Sequence, residues 1–484
     1  MKQMQGLDAT FVAIDTPNTP AHIGSIAIYD PSTAPGGFVR FKDILKFIRN
    51  RLRKSVIMRQ KMVKVPFGLD HPYWVQDSNF DLENHVGHVA LPKPGDWRQL
   101  CILSARIFSR PLDLTRPPWE ITVIEGLDNI KDVPRGSYAM LTKVHHSAID
   151  GVSGMDMMQA LHTLDADISE PDEPDRWKPE ADPSQLGLFA RAYLRGLKQP
   201  ITQIRALRHT LPGIARVSRG LIKRDFDFTE IAKTPKTRFN VMVSPHRIFN
   251  ACTFKFSDIK RIRDLAEDSK INDVMLSIVG GGVRNYLLAK NDLPATSLTA
   301  MAPISVRSKS EKNTMGNQVS AMFVPLGSHI ENAVERLQYV TKETRQAKQF
   351  TEALGARQMS EMSKLSSTLA MNLGVKISGR LKLADKIKPM VNTVVTNVPG
   401  PPVEIYSSGA KLVGLYGQFC LMDGIGVGHV IQSYMNDITL SFTACRNVIP
   451  DPELYNECMQ KSFDAHLKAA EKITEKSANK SADK

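Results

Sequence analysis

Residues 144–151 read "VHHSAIDG", which sets two imidazoles and a carboxylate, His145, His146 and Asp150, at the end of an apolar segment. An unperturbed histidine, with a pKa of about 6.5, is the side chain best suited to take and return a proton near neutral pH, and a neighbouring carboxylate can fix its tautomer. Two histidines can also ligate a metal if their rings converge. The segment "YAMLTKVHH" (138–146) reads as a strand, so Tyr138, Met140, Thr142, Val144 and His146 share one face and Ala139, Leu141, Lys143 and His145 the other. This alternation points the imidazoles apart and weighs against a metal. Asp150 follows in a tight turn where Gly151 permits close backbone approach, with a helix expected from about Ser153. Spacing alone leaves a buried hydrogen-bonded histidine, a general base and a metal ligand all open.

The elements around this stretch mix two periodicities. "HIGSIAIYD" (22–30), "ITVIEG" (121–126) and "SYAMLTKVHH" (137–146) are strand-like, and "FKDILKFIRNRLRKS" (41–55) and "WRQLCILSARIFS" (97–109) are amphipathic helices. Later, "SLTAMAPISVR", "NQVSAMFVPLG", "NTVVTNVPG" and "DITLSFTAC" read as strands and "IENAVERLQYVTKETRQAKQF" as a long helix. The order is not strictly βαβ, which favours mixed-sheet α/β (α+β) sandwiches. The acidic, proline-rich run from 165 to 184 reads as an exposed connection, and the stretch from Leu186 to Arg224 as broken basic amphipathic helices. This gives four parts: an N-terminal unit, 1–184; a basic helical connector, 185–245; a C-terminal unit, 246–465; and a disordered tail, 466–484.

Composition narrows the function classes. A chain of 484 residues exceeds what one core usually supports, in keeping with two domains. The formal charge of +13 favours anionic partners, but the basic residues do not interleave with stacking aromatics, so nucleic acid is not expected. The 5 cysteines are dispersed without CxxC spacing, and neither a disulfide framework nor a zinc site is indicated. No glycine-rich phosphate loop separates a strand from a helix, and no apolar run approaches the roughly 20 residues that span a bilayer.

The "HHSAIDG" heptapeptide resembles the HHxxxDG motif of the bacterial wax ester synthase/diacylglycerol acyltransferase family, within the superfamily of CoA-dependent acyltransferases and peptide-synthetase condensation domains. Other segments match in family order. "GLDATFVAIDTPNTPAHIG" resembles the LDxxF…PxHxG element, and "PLDLTRPPWE" the PLDxxRPLW element with Pro118 where leucine is usual. "INDVMLSIVGGGVRNYL", "PISVR" and "TNVPGPP" resemble the ND helix, the PxSxR strand and the late loop, so the similarity runs from about residue 5 to 460.

The resemblance implies two chloramphenicol-acetyltransferase-like domains with the active-site tunnel at their interface. It implies transfer of a long acyl chain from acyl-CoA to a fatty alcohol or a diacylglycerol, with His146 as general base, His145 supporting it, and Asp150 with Gly151 ordering the turn. Arg307 is the expected ion-pair partner of Asp150. Asn272 reads first as a helix N-cap, and the resemblance adds a place in the active-site lining or oxyanion hole. Trp119 with Arg116 reads as a loop anchor, Asn397, Pro399 and Gly400 as a rigid turn; Trp119, Asn397, Pro399 and Gly400 are also tunnel-wall candidates, and Gly355 and Ala356 are positions that leave room for an acyl chain. No metal or cofactor is expected, acyl-CoA being a co-substrate. The expected partners are long-chain acyl-CoA, a fatty alcohol or diacylglycerol, and an anionic membrane or lipid-droplet surface, with a cytoplasmic protein peripheral to the inner membrane or lipid inclusions. The alternative is a condensation-like or noncatalytic protein that binds a carrier-borne acyl group.

Overall fold

The computed structural model describes residues 1–4, 6–149, 151–168, 177–196, 233–305, 319–354 and 368–482. Its strands are β1 (Lys2–Gln3), β2 (His22–Asp30), β3 (Gln60–Val63), β4 (Tyr73–Gln76), β5 (Val86–Ala90), β6 (Trp119–Glu125), β7 (Tyr138–His145), β8 (Arg247–Lys255), β9 (Thr299–Ser305), β10 (Val319–Pro325), β11 (Thr393–Pro399), β12 (Tyr406–Ser407), β13 (Ala410–Gln418), β14 (Val427–Tyr434) and β15 (Asp437–Cys445). Its helices are α1 (Gly6–Ile14), α2 (Phe41–Arg51), α3 (Trp97–Phe108), α4 (Gly151–Leu161), α5 (Gln185–Gly196), α6 (Phe256–Arg263), α7 (Ile271–Ala289), α8 (Ala333–Leu354), α9 (Thr368–Leu381), α10 (Leu383–Lys386) and α11 (Pro452–Ala482).

Two mixed six-stranded sheets organise the chain, in the orders β12-β13-β2-β7-β6-β5 and β10-β9-β11-β14-β15-β8, beside a small sheet β1-β4-β3. Alternation along β7 makes the first a sandwich. Tyr138, Met140 and Val144 enter one core with Ile44 and Ile48 of α2 and Met157, Ala160 and Leu161 of α4. Ala139 and Leu141 face the other way, onto Leu100, Cys101 and Ala105 of α3. Helix α3 begins where Asp96 accepts from the Gln99 N–H at 2.8 Å, satisfying one of the donors a helix start leaves open. In the second unit α7 is apolar on nearly every side, with Val274, Met275, Leu276, Ile278, Val279 and Val283 all buried. Each such side chain contributes roughly 1.5–3 kcal/mol relative to exposure.

The halves interlock. Strands β12 and β13, from the sequence of the second half, extend the first sheet: β13 pairs antiparallel with β2, Leu415 opposite Ala27 and Gln418 opposite Gly24. The chain then returns to the second sheet as β14, and Ile23 of β2 packs with Val394, Phe419 and Val430 beneath the junction. The Trp97 indole N–H donates to Asn250 Oδ1 of β8 at 2.9 Å across the same seam.

Two expected boundaries shift. Phe239 and Asn240, inside the expected connector 185–245, are buried in the second unit, where Asn240 Nδ2 donates to the carbonyls of Val391 and Gly424 at 2.9 Å. The expected tail 466–484 continues α11 to Ala482; Phe463, His466 and Ala470 are spaced to bury one face of that helix, and Lys461, Lys468 and Lys472 are exposed. Of the basic stretch Leu186–Arg224, residues 186–196 form most of α5, and the rest lies outside the described residues.

Candidate active site

The site is built where β2 and β7 end together. His22 lies opposite His145 in the antiparallel register. The His145 N–H donates to the Pro118 carbonyl at 2.9 Å, and the next residue leaves the ladder, the His146 N–H donating to Ala21 O at 2.8 Å. The turn closes through the Ala148 N–H on His145 O at 2.9 Å, and α4 begins at Gly151, two residues before the expected Ser153. The strand therefore stops between the two histidines.

Their rings have different surroundings. The His145 side chain is buried, and the Ser147 N–H donates to its Nδ1 at 3.2 Å, with Ser147 Oγ 2.7 Å from the same nitrogen. A nitrogen that accepts from a main-chain N–H carries no proton, so the neutral ring holds its proton on Nε2. Nε2 faces the Asp15 carboxylate at 4.0 Å. Burial, then the charges of His146 and Lys64, lower the His145 pKa to about 3. Burial also raises the Asp15 carboxyl, against the opposing effect of the Ala21 N–H that it accepts at 2.9 Å.

His146 stacks on Phe11 of α1, ring centroids 3.8 Å apart and planes 10° apart. Burial lowers its pKa to about 4, so at neutral pH it is an uncharged imidazole with a lone pair to offer. A rigid floor carries both histidines. Lys143 of β7 donates to the carbonyls of Ile107 (3.3 Å) and Arg110 (2.9 Å) and pairs with Glu120 at 2.9 Å, while His22 bonds to the Phe108 carbonyl. These contacts tie the C-terminal end of α3 to β2 and β7. Gly24 leaves the room this needs, since a Cβ there would lie 2.6 Å from Thr142 O and 2.9 Å from the Phe108 ring.

The other expected residues fall into groups. Asn272 is not the N-cap of α7: Lys270 holds that position, and its N–H donates at 2.9 Å to Oδ2 of Asp273, which stands three residues on where a capping box closes, one place past Asn272. Asn272 instead meets Asn397 of β11, whose Nδ2 is 3.5 Å from Asn272 Oδ1. Trp119 is buried in the first core, donating to Met58 O at 3.0 Å and stacking on His85 with centroids 4.6 Å apart. That is the placement of an anchor, whereas Arg116 is exposed beside Asp113 at 3.4 Å. Pro399 ends β11 on the surface, and Gly400 passes so close to β14 that a Cβ would lie 2.0 Å from Ser433 O. Asp150, Arg307, Gly355 and Ala356 lie outside the described residues.

Phe11, Asp15 and Ser147 were not expected in the site. Phe11 was legible as the aromatic of the LDxxF element, yet nothing in that element says what its ring covers; Asp15 lies within the same N-terminal segment. Among the described residues no group of three or more His, Cys, Asp or Glu side chains is arranged to hold a metal.

Comparison with known proteins matches the wax ester synthase/diacylglycerol acyltransferase catalytic domain to residues 4–275 and the C-terminal domain of the same family to residues 315–466. A putative diacylglycerol O-acyltransferase of Mycobacterium tuberculosis is 31% identical over 457 residues, covering 93% of this chain and 95% of that protein. The O-acyltransferase WSD of Acinetobacter baylyi is 28% identical over 460 residues, 93% of each. The solved wax ester synthase/diacylglycerol acyltransferase of Marinobacter aquaeolei superposes with a TM-score of 0.68 at 23% identity, covering 97% of this chain and 100% of that one. The first condensation domain of the CDA synthetase shares the fold with a TM-score of 0.56 at 13% identity, over 97% of each chain.

Proposed function

Because the chain belongs to the wax ester synthase/diacylglycerol acyltransferase family, we propose that it transfers a long-chain fatty acyl group from acyl-CoA directly to the hydroxyl of a fatty alcohol or a diacylglycerol, with His146 as general base. The observation that carries this reading is the uncharged His146 ring held flat against Phe11 at the end of β7.

An alcohol is a weak nucleophile at neutral pH, and removal of its proton during attack contributes about 10²–10⁴ in rate. His146 accepts that proton as the hydroxyl oxygen bonds to the thioester carbonyl carbon. The tetrahedral oxyanion then collapses, the C–S bond breaks, and the departing thiolate takes the proton back from the imidazolium. The thioester brings its own leaving group, so no protein nucleophile is required, and both substrates occupy the site together.

His145, with its proton on Nε2 facing Asp15, positions the turn from the opposite side of the strand. Asn272 is assigned to the lining as oxyanion donor: its Oδ1 lies toward Asn397, leaving Nδ2 to donate. Asp150 and Arg307 are assigned as an ion pair that orders the motif turn, on the family resemblance. The acceptors are water-insoluble and no described helix is long and apolar enough to cross a membrane, so the enzyme meets its acceptor at the surface of the inner membrane or of lipid inclusions.

Purified protein supplied with palmitoyl-CoA and either hexadecanol or dipalmitoylglycerol tests the reading. Release of CoA with formation of the matching ester is expected; hydrolysis to free fatty acid with no ester from either acceptor would overturn it.

A further inference from the structure

We infer that α5, the 3₁₀ turn Pro66–Gly68 and α9 form one docking platform for an anionic lipid surface, and that this platform adjoins the catalytic base through α1. The inference rests on the acyl-transfer reading above and adds the place where the acceptor-bearing surface meets the chain.

Three separate elements expose apolar side chains. On α9, Leu373, Ile377 and Leu381 are 56%, 45% and 52% exposed, and their spacing of four residues puts them on one side of the helix. On α5, Leu188 and Ala192 pack against Val65 and Tyr73, while Leu186, Phe189, Tyr193 and Leu194 stay outside. Between the helices the ring of Phe67 is 82% exposed on a backbone with φ 57°, the left-handed region that disfavours a bulky L residue. The turn that carries Phe67 packs against both α5 and α9, which makes the three one surface.

Charge selects the occupant. Arg191 on α5, and Arg380, Lys382, Lys386 and Lys388 at and beyond the end of α9, are exposed, while Arg195 of α5 is paired with Asp70 at 3.1 Å. The only acidic residue from 368 to 390 is Asp385, whose carboxylate is turned to the Met242 N–H at 2.9 Å. A second copy of the chain would bring the same cations face to face. An anionic lipid surface complements them and takes up the leucines and aromatics, the pattern of a protein that lies on a membrane.

The platform is one helix from the chemistry. Helix α9 packs on α1, and α1 presents the Phe11 ring stacked on His146 at 3.8 Å. An acceptor leaving the lipid surface at α9 therefore arrives beside the residue that covers the base.

The test is sedimentation of the full chain with phosphatidylcholine vesicles, with and without phosphatidylglycerol, for wild type, the triple variant Leu373→Gln/Ile377→Gln/Leu381→Gln, Phe67→Ser and Arg380→Glu/Lys382→Glu. Wild type should bind the anionic vesicles and release at high salt. The charge variant should bind at least tenfold less, about fivefold for each cation removed, and the apolar variants should lose a similar factor at unchanged thermal unfolding. Transfer from acyl-CoA to a short water-soluble alcohol should stay at the wild-type rate in every variant, while transfer to vesicle-borne diacylglycerol falls. Binding unchanged by the substitutions, or equal on neutral vesicles, would overturn the platform; a dimer that these variants dissociate, or a patch shielded from labelling by residues 197–232, would do the same by naming another occupant. Platform-dependent vesicle binding without transfer to the soluble alcohol would instead sink the acyl-transfer reading and leave the platform standing.

Discussion

The imidazole of His146 lies flat against the ring of Phe11, 3.8 Å between centroids, so an aromatic from the first helix fixes the plane of the proposed base. Loss of that ring frees the imidazole to turn, and misplacing a catalytic group by about 1 Å costs on the order of 10² in rate. Phe11→Ala should lower kcat by about that factor with little change in KM for acyl-CoA, and Phe11→Tyr should restore most of it. Steady-state kinetics of the two variants decide; equal activity in wild type and Phe11→Ala would remove Phe11 from the site.

Acidity gives a second handle. A base must be unprotonated to act, and burial holds the His146 pKa at about 4. Activity is therefore present above that value and lost as pH falls through it. The kcat/KM profile should stay flat from neutral pH through about 6.5, the ordinary histidine value, and fall with an apparent pKa of about 4. A descent centred at about 6.5 would mean that the base is a solvated histidine elsewhere.

Stability should follow pH through the same histidines. The pKa is lowered to about 3 for His145 and His466 and to about 4 for His146, His162 and His429, in each case chiefly by burial. The unfolded chain binds these protons at about 6.5, so between that pH and about 4 it holds more protons than the folded state. The contribution of these groups is complete above about 6.5 and is lost progressively as pH falls, through about 4 for His146, His162 and His429 and on to about 3 for His145 and His466. Thermal unfolding should show Tm dropping steadily across that window, and a flat Tm would contradict the burial of these rings.

Much of this was legible in the sequence, and the remainder was not for definite reasons. The alternation of 22–30 predicts a strand with the bounds that β2 has, His22–Asp30, because a half-buried strand writes its pattern locally. Alternation alone would set His145 and His146 on opposite faces, but β7 stops at His145, so His146 leaves the ladder and the rings are told apart by their partners, Asp15 and Ser147 for one and Phe11 for the other. The entry of β13 into the first sheet was hidden, since pairing of Gln418 with Gly24 is a relation across the whole chain with no local signature. The residue type of Asn272 suggests a cap, but the cap is closed by Asp273, whose carboxylate accepts the Lys270 N–H. Buried polar partners such as Ser147 for His145 depend on where a turn folds back, which composition does not state.

His145 should matter less than its neighbour. Ser147→Ala removes the hydroxyl 2.7 Å from Nδ1 but leaves the main-chain N–H that sets the tautomer. A stability loss of about 1 kcal/mol and a severalfold drop in kcat are expected, and His145→Ala should lose more of both by emptying a buried position. Denaturant unfolding beside kinetics checks the pair, and a Ser147→Ala variant as inactive as His145→Ala would show the hydroxyl, not the ring, to be the active element.

The central claim is that His146 takes the acceptor's proton. Its most direct measurement is CoA release by His146→Ala with palmitoyl-CoA and hexadecanol both present, on protein whose thermal unfolding and acyl-CoA binding match the wild type. The account predicts a fall of about 10²–10⁴ in turnover with acyl-CoA affinity retained. Wild-type turnover in His146→Ala would contradict it.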